Sequence, residues 1–177
     1  MMMKGLNFIL SVFLACFLSA CQKEFDITQI DSSKPFALVF FEGGKLEVRA
    51  SKNAIYAQLN KPIIYTFFTS WCETCKVEAQ LLSVLNDKYK GKIEIIGILM
   101  EDLEEKAVRQ YKKDFHINYK IATGTPNLIL DKALGGVDGT PYTILADKNG
   151  SIVWQKSGIV DSEFLELWLE KLFENQI

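Results

Sequence analysis

The chain has 177 residues, 49% of them hydrophobic, enough for one domain of ordinary size with a real core. Charge is nearly balanced. Removing residues 1–20, which hold Lys4 and no acid, leaves 19 basic against 22 acidic residues, and a net of −3 gives no reason to expect nucleic acid as a partner.

Residues 1–20 read as an export signal, with Lys4 ahead of a run over residues 6–18 that is apolar apart from Asn7 and Ser11. An ordinary cleavage site wants a small residue three before the cut, and Leu18 is not small. Leu18-Ser19-Ala20-Cys21 instead resembles the bacterial lipobox, which implies cleavage before Cys21, a diacylglycerol thioether on its thiol, and anchoring by acyl chains without a transmembrane helix. A plain secreted protein and an uncleaved signal anchor are the alternatives. On the lipoprotein reading Cys16 leaves with the signal, Cys21 is lipidated, and Cys72 and Cys75 remain as an even pair of thiols in an oxidising place. Residues 22–34 are polar with little periodicity, a tether of 13 residues that spans up to about 45 Å when extended. The expected organisation is a signal peptide over 1–20, a lipidated tether over 21–34 and one folded domain over 35–177. No internal repeat is present, and no apolar run after the N-terminus is long enough to span a bilayer.

Residues 36–41 and 45–50 are short strand-like runs joined by Glu42-Gly43-Gly44, which predicts an N-terminal hairpin. Residues 53–61 form a weaker segment leading to Pro62, which suits the start of a strand because it has no N–H to donate. The run Ile63-Ile64-Tyr65-Thr66-Phe67-Phe68 is the expected central strand. It feeds Trp71-Cys72-Glu73-Thr74-Cys75, which opens an amphipathic run over residues 73–90. Cys72 then falls at or before the first helical turn, where unpaired N–H groups and the helix dipole favour negative charge and lower a thiol's pKa. Cys72 is therefore the expected nucleophile. Cys75, one turn deeper, is placed to close a disulfide with it or to resolve a mixed disulfide. Zinc needs two further ligands, and apart from Cys16 and Cys21 only His116 is on offer. A purely structural bridge is the other alternative, yet such bridges usually clip distant segments, and a C-x-x-C ring constrains almost nothing in the unfolded chain.

At about 100° per residue from Cys72, Val77, Leu81, Leu82, Val84, Leu85 and Tyr89 fall in one arc centred near about 200°, with Glu73, Lys76, Gln80, Ser83 and Asp87 opposite. Glu78 falls inside the apolar arc and one turn beyond Cys75. It is either a boundary residue whose head reaches water or a buried carboxyl with a raised pKa, placed to exchange a proton with Cys75.

Residues 92–100 read as a buried strand, and residues 103–115 carry Leu103, Ala107, Val108 and Tyr111 at helical spacing, a βα unit. His116, the lone histidine, reads as a capping or surface residue because no partner motif surrounds it. Thr125 is the expected N-cap of a helix running to Leu134, with Pro126 at its first position. Pro141 opens an apolar run over 142–146 that turns at Asp147-Lys148-Asn149-Gly150 and returns over 151–155, a proline just ahead of an antiparallel hairpin. A cis bond at Thr140–Pro141 exposes the Thr140 backbone for pairing with an extended substrate, though residue identity alone does not choose cis over trans. The last helix, over 161–173, carries Phe164, Leu165, Trp168 and Leu172 on the face that covers the sheet.

Strand, W-C-x-x-C, helix, strand, helix, then G-T-P, hairpin and final helix resembles the thioredoxin superfamily, and more closely its membrane-tethered TlpA/ResA-type thiol–disulfide oxidoreductases. The likeness covers about residues 35–175. It rests on the N-terminal hairpin, on Cys75-Lys76-Val77-Glu78, on an inserted helical stretch between Met100 and Gly135, and on Gly136-Val137-Asp138-Gly139-Thr140-Pro141. It implies an α/β thioredoxin-like fold, a central mixed β-sheet flanked by helices, with an N-terminal β-hairpin and an inserted helical stretch before the cis-Pro loop. Thioredoxin keeps a buried aspartate six before its first cysteine; Thr66 stands there in this chain, and Glu78 looks like the substitute.

The resemblance also implies a redox-active disulfide between Cys72 and Cys75, and a loop at Thr140 and Pro141 that faces the sulfurs and, with Trp71, contacts substrate. Members of the family often reduce apocytochrome c or other periplasmic disulfides with electrons from a transmembrane thiol carrier. The expected protein is thus a lipid-anchored reductase on the extracytoplasmic face of a bacterial envelope, acting on protein disulfides or dithiols, with no cofactor and no metal. A disulfide-donating oxidant and a metal or haem chaperone are the alternatives. One departure matters: Glu73-Thr74 stands where many relatives have Glu-Pro or Ala-Pro, so the poise of the disulfide does not carry over from them.

Overall fold

The computed structural model describes residues 34–174. The expected signal, Cys16, Cys21 and nearly all of the tether lie outside them. The described strands are β1 (Phe36–Phe40), β2 (Lys45–Ser51), β3 (Ala54–Ala57), β4 (Ile63–Phe68), β5 (Glu94–Leu99), β6 (Lys120–Thr123), β7 (Tyr142–Ala146) and β8 (Ile152–Ser157); the helices are α1 (Glu73–Lys88), α2 (Glu105–Asp114), α3 (Thr125–Leu134) and α4 (Ser162–Glu174). One mixed sheet runs in the order β3-β2-β1-β6-β5-β4-β7-β8. Helical crossovers make β4, β5 and β6 parallel, while β7 returns antiparallel beside β4.

Every residue of β4 is buried, and its side chains alternate between two cores. Ile64 and Phe68 join the core beneath the first helix, with Leu82, Leu85, Ile95, Leu165 and Leu169. Ile63, Tyr65 and Phe67 join a second core with Leu38, Val48, Ile55, Ile96 and Leu130. The first three strands of the sheet and α3 contribute residues to that second core.

The weaker segment before Pro62 is a true strand. β3 is four residues long and pairs with β2 from Ser51↔Ala54 to Val48↔Ala57. Although β3 and β8 are the two edges of the sheet, their starts touch: Ile55 N–H donates to Gly150 O at 2.7 Å, and Ile152 N–H donates to Asn53 O at 3.0 Å. Gly150 permits this approach. It holds φ +86°, and a Cβ on it would lie 2.8 Å from Ile55 O. The inserted stretch between Met100 and Gly135 is not wholly helical, because β6 lies between α2 and α3 with Ile121 and Ala122 buried.

The buried face of α1 differs from the expected arc. Cys75, Glu78, Ala79, Leu82, Ser83 and Leu85 are buried, which centres the face near about 290° on the same wheel, a rotation of about 90°. Val77 and Val84 are 55% and 71% exposed. Ala79 and Ser83 are small enough for close approach to the sheet, and the Ser83 hydroxyl is satisfied internally by donating to Ala79 O at 2.8 Å. The rotation brings Cys75, at about 300°, to the middle of the buried face, while Glu78, at about 240°, lies inside the face on either wheel.

Two helix starts and one helix face are also corrected. Gly124, at φ 82°, is the N-cap of α3, and Thr125 is already helical, because the turn out of β6 needs a positive φ that threonine resists. Asp161 precedes α4 and caps it, its Oδ1 accepting the N–H groups of Glu163 and Phe164. On α4 the fully buried residues are Leu165 and Leu169; Trp168 and Leu172 are half-buried, and Phe164 is largely exposed, its ring 6.3 Å from that of Trp154. His116 is exposed, at φ 53° just past the end of α2.

Candidate active site

The chain leaves β4 at Phe68, crosses Thr69, Ser70 and Trp71, and enters α1 with Cys72 as the N-cap, at φ −78° and ψ 110°. Cys72 Sγ takes the place of a capping oxygen and accepts the Cys75 N–H at 3.1 Å. The helix N-terminus that the sequence assigns to this sulfur is therefore in contact with it. Cys72 and Cys75 form a disulfide, with Cα atoms 5.2 Å apart. Both are buried, at 7% and 2% exposure, whereas the neighbouring Trp71 is 71% exposed. Thr74 Oγ1 lies 3.4 Å from Cys72 Sγ.

The Thr140–Pro141 peptide is cis, and the Thr140 carbonyl oxygen lies 3.6 Å from Cys72 Sγ. Trp71, Cys72, Thr140 and Pro141 thus gather at one end of the sheet. The Ser70 backbone N–H donates to the Glu101 carboxylate, which ties the loop ahead of Cys72 to the end of β5. A cleft of ≈ 240 Å³ opens between Leu99–Asp102 and the start of α3 at Gly124, Thr125 and Leu128. It lies beyond the carboxyl ends of two parallel strands, the usual place for ligands in such sheets.

Glu78 is 1% exposed, so the boundary alternative is excluded. Oε1 accepts the hydroxyls of Thr66 at 2.9 Å and Thr143 at 2.6 Å, and Oε2 accepts the Val160 N–H at 3.1 Å. Burial pushes its carboxyl above the ordinary range; the Thr143, Thr66 and Val160 hydrogen bonds and the charge of Lys156 oppose that rise without cancelling it. Thr66 therefore does more than replace thioredoxin's aspartate, since it supplies a donor to the glutamate that enters from the helix. Tyr119 is held well above the usual phenol range by burial and then by Glu78. Glu73 projects into solvent and pairs with Lys76 at 2.5 Å.

Glu101, Thr143 and Val160 are the parts of this site that motif reading missed. Glu101 carried one available signal, its place just past a parallel strand. Val160 contributes only its backbone, which no residue type announces.

Residues 51–167 match the Redoxin family model. The thiol-disulfide oxidoreductase ResA of Bacillus anthracis is 30% identical over 146 residues, which cover 81% of this chain and 79% of that protein. The thiol:disulfide interchange protein DsbE of Vibrio cholerae is 32% identical over 136 residues, covering 75% of this chain and 71% of that protein. The crystal structure of StoA from Bacillus subtilis superposes with a TM-score of 0.60 at 19% identity, over 77% of this chain and 96% of that one, and so shares the fold.

Proposed function

The chain belongs to the Redoxin family, as a thiol–disulfide oxidoreductase of the ResA and DsbE type, and from that premise we propose that it is a membrane-tethered reductase of disulfides in exported proteins. The observation that carries the reading is the N-cap position of Cys72, bonded to Cys75 and facing the Thr140 carbonyl. In the reduced protein the Cys72 thiolate attacks a substrate disulfide, forming a mixed disulfide and releasing one substrate thiol. Cys75, deprotonated with the help of Glu78, attacks Cys72 Sγ and releases the second. Two electrons pass from the cysteine pair to the substrate. A thiol carrier in the membrane restores them. Exposed Trp71 and the loop at Thr140 and Pro141 hold the substrate chain, and apocytochrome c is one candidate client.

Direction follows from how strongly the Cys72 thiolate is stabilised, because a strong oxidant has an unusually stable reduced form. Glu73 and Thr74 place no positive charge between the cysteines, which supports a reducing protein with a potential nearer about −270 mV than about −120 mV. The disulfide-donating reading draws support from the Glu73–Lys76 pair, which offsets the nearby negative charge, and from Thr74 Oγ1 beside Cys72 Sγ. Equilibration against glutathione separates the two: a potential above about −180 mV promotes the oxidant.

Lipid attachment at Cys21 supplies the tether in this proposal and puts the domain on the extracytoplasmic face of a bacterial membrane. Radiolabelled fatty acid should enter the wild-type protein and not Cys21→Ala; equal labelling of both removes the anchor.

A further inference from the structure

Thr66 of β4 and Thr143 of β7 stand directly opposite each other in the antiparallel register, and both hydroxyls donate to the same oxygen, Oε1 of Glu78. Oε2 receives one donor, the Val160 N–H. A carboxylate oxygen has about two acceptor sites, so the two hydroxyls fill Oε1, while among the described residues Oε2 takes a single donor. Both threonines are buried, at 3% and 0% exposure. Packing alone does not ask for their hydroxyls, since valine has nearly the same shape, suits a strand interior and leaves no polar group to satisfy.

We propose that Thr66 and Thr143 form a positioning pair for the redox reaction, which pins Oε1 of Glu78 and directs proton uptake to Oε2. The proposal rests on the reading of Glu78 as the base that serves Cys75. In the resolving step the Cys75 thiol gives its proton to the Glu78 carboxylate. The resulting thiolate attacks Cys72 Sγ, the Cys72–Cys75 bond forms as the bond from Cys72 to the substrate sulfur breaks, and the departing substrate thiolate takes a proton from solvent. The cysteine pair is oxidised and the substrate reduced.

Two hydroxyls aimed at one oxygen also favour the ionised form of Glu78, against the burial that disfavours it. Among the described residues the titratable and charged groups that act on the carboxyl or are acted on by it are Lys156 on β8 and Tyr119 just ahead of β6, and Cys75 lies one turn earlier on α1. None of these is altered when a threonine becomes valine, so the pair can be tested alone.

The test uses the full-length chain with Thr143→Val, Thr66→Val and Thr143→Ser. Two readouts are followed against pH: the rate of disulfide exchange, and the infrared carbonyl band of the protonated carboxyl, assigned by its loss in Glu78→Gln. Thr143→Val should move both the band midpoint and the kinetic limb to higher pH by about one unit or more, because a hydrogen bond to a charged group is lost. Thr143→Ser should restore both, and Thr143→Val added to Glu78→Gln, which lacks the band, should leave the pH–rate profile of Glu78→Gln unchanged. If both valine variants fold and neither midpoint shifts, the positioning pair is overturned while the role of Glu78 stands. An unchanged kinetic limb in Glu78→Gln defeats the base reading instead, and the infrared midpoint then decides the pair by itself.

Discussion

The backbone N–H of Ser70 donates to the carboxylate of Glu101, 31 positions further along the chain. The bond fixes the loop that carries Trp71 into Cys72, and it is partly buried. Glu101→Ala should lower the stability of the oxidised protein by about 1 kcal/mol, the usual scale for a backbone donor left without its partner at such a site. Glu101→Gln keeps a carbonyl acceptor and should lose less than half as much. Urea unfolding of the three proteins checks this, and equal losses in the two variants count against it.

In the reduced protein Cys72 should react with an alkylating agent before Cys75. Cys72 sits at the helix N-cap beside exposed Trp71, whereas Cys75 is one turn in and 2% exposed. A rate ratio of about tenfold or more is expected, the thiolate-fraction equivalent of one pKa unit. Mass spectrometry of partially labelled protein reads the order, and faster labelling of Cys75 reverses the assignment of roles.

Glu78 also leaves a signature in stability. Burial holds its folded-state pKa above the ordinary value of 4.5. The folded protein therefore binds that proton more tightly, so the group's favourable contribution is complete below the ordinary carboxylate pKa and is lost as pH rises through the folded value. Glu78→Gln carries a fixed cost because its amide NH₂ cannot accept the Val160 N–H, but it should gain on wild type as pH rises through that window. Thermal unfolding across pH reads the difference; a constant gap between the two proteins contradicts the assigned direction.

The opposite sign is expected at Glu94, at the start of β5. Burial alone pushes this carboxyl up, but hydrogen bonds and charge from Lys120, at 2.9 Å, and Lys61, at 2.8 Å, outweigh it and hold the pKa below the usual range. Its contribution is present above the ordinary carboxylate value and is lost as pH falls through the depressed one. Glu94→Gln should cost about 1 kcal/mol at pH 7, since the lysines are partly solvated, and the cost should vanish in acid. A loss that persists once acid has protonated Glu94 in both folded and unfolded chains points to packing instead.

The C-x-x-C, its strand, the two hairpins and the final helix were legible because each is written in contiguous residues. Ile63 to Phe68 could hardly be anything but a central strand, and Cys72 had to fall at the start of what followed. The buried face of α1 was not legible in that way: valines at 77 and 84 look like core on a wheel, yet both are exposed and the small residues Ala79 and Ser83 are buried in their place. β3 was faint because Ala-Ile-Tyr-Ala is short and hemmed by polar turns. The donors to Glu78 come from 12, 65 and 82 positions away, so their convergence belongs to the tertiary fold and not to any local pattern.

The contact between the starts of β3 and β8 has a consequence for how the chain is made. Residues 53–55 reach their partners at 150–152 only after most of the polypeptide has been synthesised, so the outer edge of β3 has no partner on a nascent chain that stops short of Gly150, although β1 already has β6 to pair with. Until then that edge presents unpaired backbone, the kind of surface that attracts a second chain. The two hydrogen bonds cover the start of that edge and tie it to a turn nearly a hundred residues downstream.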